Sequence, residues 1–248
     1  MNRTSTNGRL LAATTVLFAV AACDSSNNNG NATPPPVQPL PETATFEVTV
    51  TNLTNAQPLS PVAVIAHGDG YRVFEVGSPA TLGLEELAEG GSPAALIAEA
   101  DADTGNVAAT ASGAGPIGPG GSETVAIEVL EITLPTLLIS TSTMLVNTND
   151  AITVLNGVSV ADMAPGDVLT QRTIAYDAGT EADTEEAQHI PGPAGGGEGF
   201  NAARDDEADR VSMHGGVVGN DDGFMSSDLN NQHKFDNAVA MVRIERIN

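Results

Sequence analysis

The sequence is poor in cysteine, in aromatic side chains and in positive charge, and each shortage closes off a class of function. A single Cys among 248 residues excludes an intramolecular disulfide framework and any zinc site built from several thiolates. Nine Lys and Arg stand against 32 Asp and Glu, a formal net charge of −23 at pH 7. Phosphates are held by clustered Lys and Arg, so nucleic acid is excluded as a partner. There is no Trp, and beyond residue 22 only five Phe and two Tyr remain. Sugar-hydrolysing carboxylate pairs usually come with aromatic platforms, so this scarcity disfavours a glycosidase. The apolar stretch over residues 10–22, 13 residues long, is too short to span a bilayer comfortably. At 41% hydrophobic, with 26 Gly and 15 Pro, the chain should nevertheless fold, with many turns.

The beginning of the chain reads as an address. Arg3 and Arg9 make a positive flank, residues 10–22 an apolar core, and small residues precede Cys23. Val20-Ala21-Ala22-Cys23 resembles the lipobox of bacterial lipoproteins, in which the Cys becomes the acylated first residue of the mature chain. An ordinary secretory signal with a chance Cys is the alternative, but the chain's one Cys sits where a lipobox requires it. Residues 1–22 are therefore expected to be a lipoprotein signal peptide, whose removal takes two Arg and moves the charge from −23 to −25. Acyl chains on Cys23 would tie the protein to a membrane of the bacterial cell envelope, facing the periplasm or the exterior. Residues 23–43, rich in Asn, Gly and Pro, cannot build a core and read as a tether.

From about residue 44 the pattern changes. Phe46-Glu47-Val48-Thr49-Val50-Thr51 and Val125-Ala126-Ile127-Glu128-Val129 alternate as half-buried strands do. Residues 62–66 form a short apolar run, read as a buried strand, and residues 137–139, 144–146, 173–176 and 238–247 add candidates. Ala240, Val242 and Ile244 share one face of the last, with Arg243 and Glu245 on the other. Helical signals are confined to residues 82–89 and 92–99, the second with Ser92 as N-cap and Pro93 in the first helical position. Short strands separated by turns predict a mainly β, antiparallel sandwich with long loops and one or two short helices. Residues 178–236 carry few periodic apolar positions, so loops there need something other than a core to hold them.

Two segments stand out chemically. Met144-Leu145-Val146-Asn147-Thr148-Asn149-Asp150 reads as a strand ending in amide and carboxylate side chains. Tyr176-Asp177-Ala178-Gly179-Thr180-Glu181 reads as a strand end followed by an acidic, Gly-containing turn. Oxygens from adjacent strand ends suit a hard cation such as Ca²⁺, which takes six to eight oxygen ligands and relieves carboxylate repulsion. The alternative for such acids is a solvated turn.

At these residues the chain resembles the spondin domain family, in particular its bacterial lipoprotein-like members. The family's Trp-Asp-Ala-Gly-Thr-Asp string is matched by residues 176–181, with Tyr for Trp and Glu for the final Asp. The resemblance extends over roughly residues 44–248 and implies a C2-like β-sandwich. It also implies a Ca²⁺ ligand set of Asp150, Asp177 and Glu181. Ala151 replaces the family's Trp after the first acid, and the animal domain's disulfide cysteines are absent. Neither departure removes a ligand.

Other constellations are weaker. His67, His189, His214 and His233 show no metal-binding helical spacing and read as scattered surface or satisfied residues, His67 and His214 in loops. Residues 101–112 fail as an EF-hand, with Asn106 at the sixth position and Ser112 at the twelfth. No G-x-S-x-G string is present, and Gly195-Gly196-Gly197-Glu198-Gly199 lacks the strand and helix of a phosphate loop. The expectation is a lipid-anchored envelope module that binds or adheres to an extracellular or envelope ligand, without covalent chemistry. Its alternatives are a metal- or carboxylate-dependent envelope hydrolase and a structural acidic lipoprotein with no ion site.

Overall fold

The alternation at residues 46–51 becomes a ten-residue strand, β1 (Thr43–Asn52), that buries Ala44, Phe46, Val48 and Val50. A computed structural model describes residues 40–202 and 208–248. The expected signal peptide, Cys23 and all but the last residues of the expected tether lie outside the described residues. After β1 come β2 (Ala63–His67), α1 (Leu82–Gly90), α2 (Ala94–Ala102), β3 (Val107–Ser112) and β4 (Ser122–Leu130). Then follow β5 (Leu138–Met144), β6 (Ala151–Ser159), β7 (Val168–Thr173), β8 (Ala175–Asp177), β9 (Ser212–Met213) and β10 (Ala240–Arg246).

The described strands make two antiparallel sheets, one of four in the order β4-β1-β10-β7 and one of six in the order β3-β2-β5-β6-β8-β9. The sheets share a core in which Phe46, Val48, Ile127, Val242 and Ile244 meet Val64, Ala66, Ile139 and Leu155, the arrangement of a β-sandwich. Strand β10 keeps the expected alternation, and Arg243 pairs with Glu245 on its outer face at 2.7 Å.

The six-stranded sheet is covered on its other face too. Leu84, Leu87, Leu96 and Ala100 of the helices pack on Ile65, Ile152 and Val154. This explains why β2 is buried along its whole length and reads as an unbroken apolar run. In β5, buried from Ile139 to Met144, the hydroxyls of Ser140 and Thr143 find partners inside, while Ser142 Oγ has none among the described residues. Ser140 Oγ lies 2.7 Å from His67 Nε2 and accepts the Gly157 N–H at 2.8 Å, and the Thr143 hydroxyl donates to the Ser60 carbonyl at 2.7 Å.

Helix α1 is capped by Thr81, whose Oγ1 accepts the Leu84 N–H, and ends at Gly91 with φ of 70°. The second helix starts later than its sequence suggests. Pro93, not Ser92, holds the N-cap position, and Ser92 Oγ reaches only the Ala94 N–H at 3.4 Å. Residues 173–176 are not one strand either. β7 ends in the four-stranded sheet and β8 begins in the six-stranded one, so the chain changes sheet at Ile174.

A polar anchor ties together described loop segments beyond β8. Glu185 is buried and its carboxylate accepts from Val218 N–H (2.6 Å), Gly219 N–H (2.8 Å) and the Ser227 hydroxyl (2.6 Å). A small apolar cluster of Ile190, Val217 and Leu229 sits beside it.

A carboxylate cluster as the candidate functional site

The acid-bearing segment around Asp150 is not a strand end as expected. β5 stops at Met144, Leu145 makes an isolated antiparallel bridge to Leu59, residues 146–150 turn, and Asp150 stands immediately before β6. The antiparallel pairing of β6 with β8 sets Ala151 opposite Asp177, so the start of one strand meets the end of the other. That register brings together two acids 27 positions apart in the chain.

The turn after β8 wraps around Asp150. Asp177 Oδ1 accepts the Gly179 N–H at 2.7 Å, closing an Asx turn. Gly179 has φ of 75°, and a Cβ there would lie 2.3 Å from the Arg210 carbonyl oxygen, so only glycine fits. The turn then aims two amides inward: Thr180 N–H and Glu181 N–H donate to Asp150 Oδ2 at 2.8 and 3.2 Å. Asp150 Oδ1 is different. It is buried and has no hydrogen-bond partner among the described residues.

Electrostatics follow from this enclosure. Burial, and then the charge of Asp177, push the Asp150 carboxyl up to about 7, against the pull of the two amides. Asp177 is also raised, by burial and then by Asp183. His214 Nε2 stands 3.5 Å from Asp183 Oδ1. Burial pulls this imidazole down, but Asp183 beside it and then the charges of Asp150 and Asp177 outweigh that and leave it raised. A small cavity of about 10 Å³, large enough for one water, is lined in part by Asp183, His214, Asn149 and Thr148.

Asp150 and Asp177 are thus brought together, while Glu181 demonstrably reaches Asp150 through its backbone N–H and has a largely buried side chain. Among the described residues, no three His, Cys, Asp or Glu side chains form a ready metal-binding group. Asp183 and His214 belong to the cluster and were not among the acids picked out by motif. His214 lies in the loop after β9, as read, and is buried there, whereas His67 ends β2 fully enclosed, not in a loop. Each of the four His makes its own hydrogen bond: His67 with Ser140, His189 with Thr184, His214 with Gly216 and His233 with Asn230.

Fold and site together define a two-sheet antiparallel β-protein with a buried, undercompensated carboxylate cluster where β6 and β8 meet. No family model matches the chain, and no curated protein matches it. No helix among the described residues is long and apolar enough to cross a membrane.

Proposed function

We propose that this protein is a lipid-anchored binding or adhesion module of the bacterial cell envelope, with a C2-like, spondin-like sandwich braced by one Ca²⁺ ion. The observation that carries the reading is Asp150 Oδ1, a carboxylate oxygen sealed from water, given no N–H or hydroxyl donor among the described residues, and set against the Asp177 carboxyl. A buried carboxylate without compensation is costly unless it is neutralised by a proton or a cation. A divalent ion would neutralise the Asp150–Asp177 pair, and the donor set is all oxygen, as a hard cation prefers. Glu181 is the third acid that the resemblance supplies. Calcium also takes backbone carbonyls and water, so it needs no prebuilt trio of acids.

In this reading Asp150 and Asp177 hold the ion, and the ion supplies the positive charge that lets both stay ionised. Held that way, the turn at residues 177–181 fixes the start of the loops anchored by Glu185, which then present a surface to an extracellular or envelope ligand. Covalent chemistry is not part of the proposal, because Asp150 is 0% exposed and no substrate reaches it. Acylated Cys23 would supply the membrane attachment.

Differential scanning calorimetry with CaCl₂, MgCl₂ or ZnCl₂ tests this. Calcium at a hundredfold excess over its Kd should add about 2.7 kcal/mol, a rise in Tm of roughly 5–10 °C. A melting temperature indifferent to calcium overturns the ion assignment and leaves a structural acidic lipoprotein. Turnover of an ester, glycan or peptide panel, lost on Asp150→Ala, would favour a hydrolase instead.

A further inference from the structure

Eleven large apolar side chains are exposed among the described residues, and five of them, Leu40, Leu130, Ile132, Val168 and Ile247, belong to one end of the sandwich. Strand pairing puts them there. Thr43 at the start of β1 stands opposite Leu130 at the end of β4, and Glu131 N–H donates to the Glu42 carbonyl at 2.9 Å. Ile247 N–H donates to the Thr45 carbonyl at 2.8 Å, and Val168 at the start of β7 pairs with Glu245 of β10. Leu40 and Ile132, 88% and 85% exposed, adjoin the bond between Glu131 and Glu42. Single exposed apolar residues are ordinary, but a group of them at one end marks a contact surface.

The opposite end holds the carboxylate cluster. At about 3.3 Å per residue, β1 runs roughly 30 Å from Thr43 to Asn52. The Asn52 amide donates to the Gln57 carbonyl at 2.7 Å. Gln57 Nε2 donates in turn to the His233 carbonyl at 2.8 Å, and Gln57 Oε1 accepts the Asn147 N–H at 3.2 Å. The turn that carries Asp150 and the loops anchored by Glu185 therefore lie far from Leu40. The charges interleaved with the apolar group are Glu42, Glu131, Asp162, Asp167 and Glu245 against Arg246, which reaches Glu131 at 3.4 Å. Acids dominate there, so an anionic surface is repelled and a zwitterionic one is not.

We infer that this end is a lipid-facing surface, on which Leu40, Ile132 and their apolar neighbours rest in the headgroup region of a zwitterionic membrane and turn the carboxylate end away from it. The occupant follows from connectivity. The chain enters the described fold at Leu40, the most exposed of the five, 17 residues after Cys23. A link of that length spans at most about 60 Å. Acyl chains on Cys23 thus keep this end near the bilayer at high local concentration, and apolar contacts too weak to hold a free protein become occupied. The inference rests on the lipid-anchor reading above and is independent of calcium. It gives the anchored module an orientation, with the loops beyond Glu185 held outward for a ligand.

The chain has no Trp, so one introduced indole reports its own surroundings. The full chain is expressed in a bacterium as Ile132→Trp and as Met225→Trp, purified from membranes and reconstituted in phosphatidylcholine vesicles. Met225 is an exposed residue of the far loops. Emission from Ile132→Trp should shift to the blue and be quenched by brominated acyl chains, while Met225→Trp should emit as in water. Adding Leu40→Glu and Ile247→Glu to Ile132→Trp should abolish the quenching and leave flotation with the vesicles unchanged. Phosphatidylglycerol vesicles should quench less. Melting curves check folding, and if the triple variant does not fold, the two single variants decide. Equal quenching at both positions, none at either, or stronger quenching by phosphatidylglycerol overturns the inference. A blue shift that persists in detergent without bromine quenching assigns the surface to a second copy and overturns it too. Mass spectrometry of the N-terminal peptide separates the two readings. An unacylated Cys23 removes the anchor and this inference together, whereas an acylated Cys23 with an unquenched Ile132→Trp removes this inference alone.

Discussion

Replacing Asp150 by Asn keeps the shape of the side chain and removes its charge. The Asn oxygen still accepts the Thr180 and Glu181 amides, and its NH₂ takes the place of the orphan oxygen beside Asp177. The folded-state pKa of Asp150 lies above its unfolded value, moving from 3.8 to about 7. In calcium-free solution the native state thus keeps a proton that the unfolded chain releases, and stability falls as pH rises from about 4 through 7. At about 1.4 kcal/mol per pKa unit, the ionised Asp150 costs the fold roughly 2–4 kcal/mol at pH 8, the lower figure allowing for its coupling to Asp177. About 1 kcal/mol moves Tm by some 2–4 °C in a domain of this size. Asp150→Asn should therefore raise Tm by roughly 5–15 °C at pH 8 in EGTA, with the gain vanishing near pH 4. Added calcium should stabilise wild type and leave the variant unmoved. Thermal melts across that pH range decide the matter: a variant less stable than wild type at pH 8 without calcium refutes the reasoning.

Three further outcomes follow from the same geometry. Asp177→Asn keeps the cap on Gly179 N–H, so it should leave the calcium-free fold intact or firmer while weakening calcium binding, as titration calorimetry will read. Calcium affinity should fall by up to about tenfold per pH unit below 7, because the ion must displace the proton from Asp150. Glu185→Ala strands two amides and a hydroxyl and should cost roughly 3 kcal/mol; hydrogen exchange should lose protection at Val218 and Gly219 while β1 and β10 stay protected.

Most of the strands that could be read from the sequence have one wet face. β1, β4 and β10 alternate because every second side chain meets the shared core, and β2 showed as a solid apolar run. β3 and β6 were not legible. β3 is a run of small residues, Val-Ala-Ala-Thr-Ala-Ser, and β6 is buried on both sides over its first half, so neither shows a period of two. Asp150 and Asp177 could be singled out from their local chemistry, but Asp150 was assigned to the wrong strand. Asp183 was not singled out and His214 was read only as one of four scattered or satisfied histidines, since nothing near either in the chain says that one will face the other.

Sequence alone determined the strongly acidic net charge, the acidic turn at residues 177–181 and the faces of the outer strands, which depend on composition and on near neighbours in the chain. Tertiary structure decided that Asp150 is sealed, that one of its oxygens is satisfied by amides 30 and 31 residues away, and that the other is not. The reason is physical: the charge state of a carboxylate depends on the water and dipoles around it, and here those are set by which strands pair.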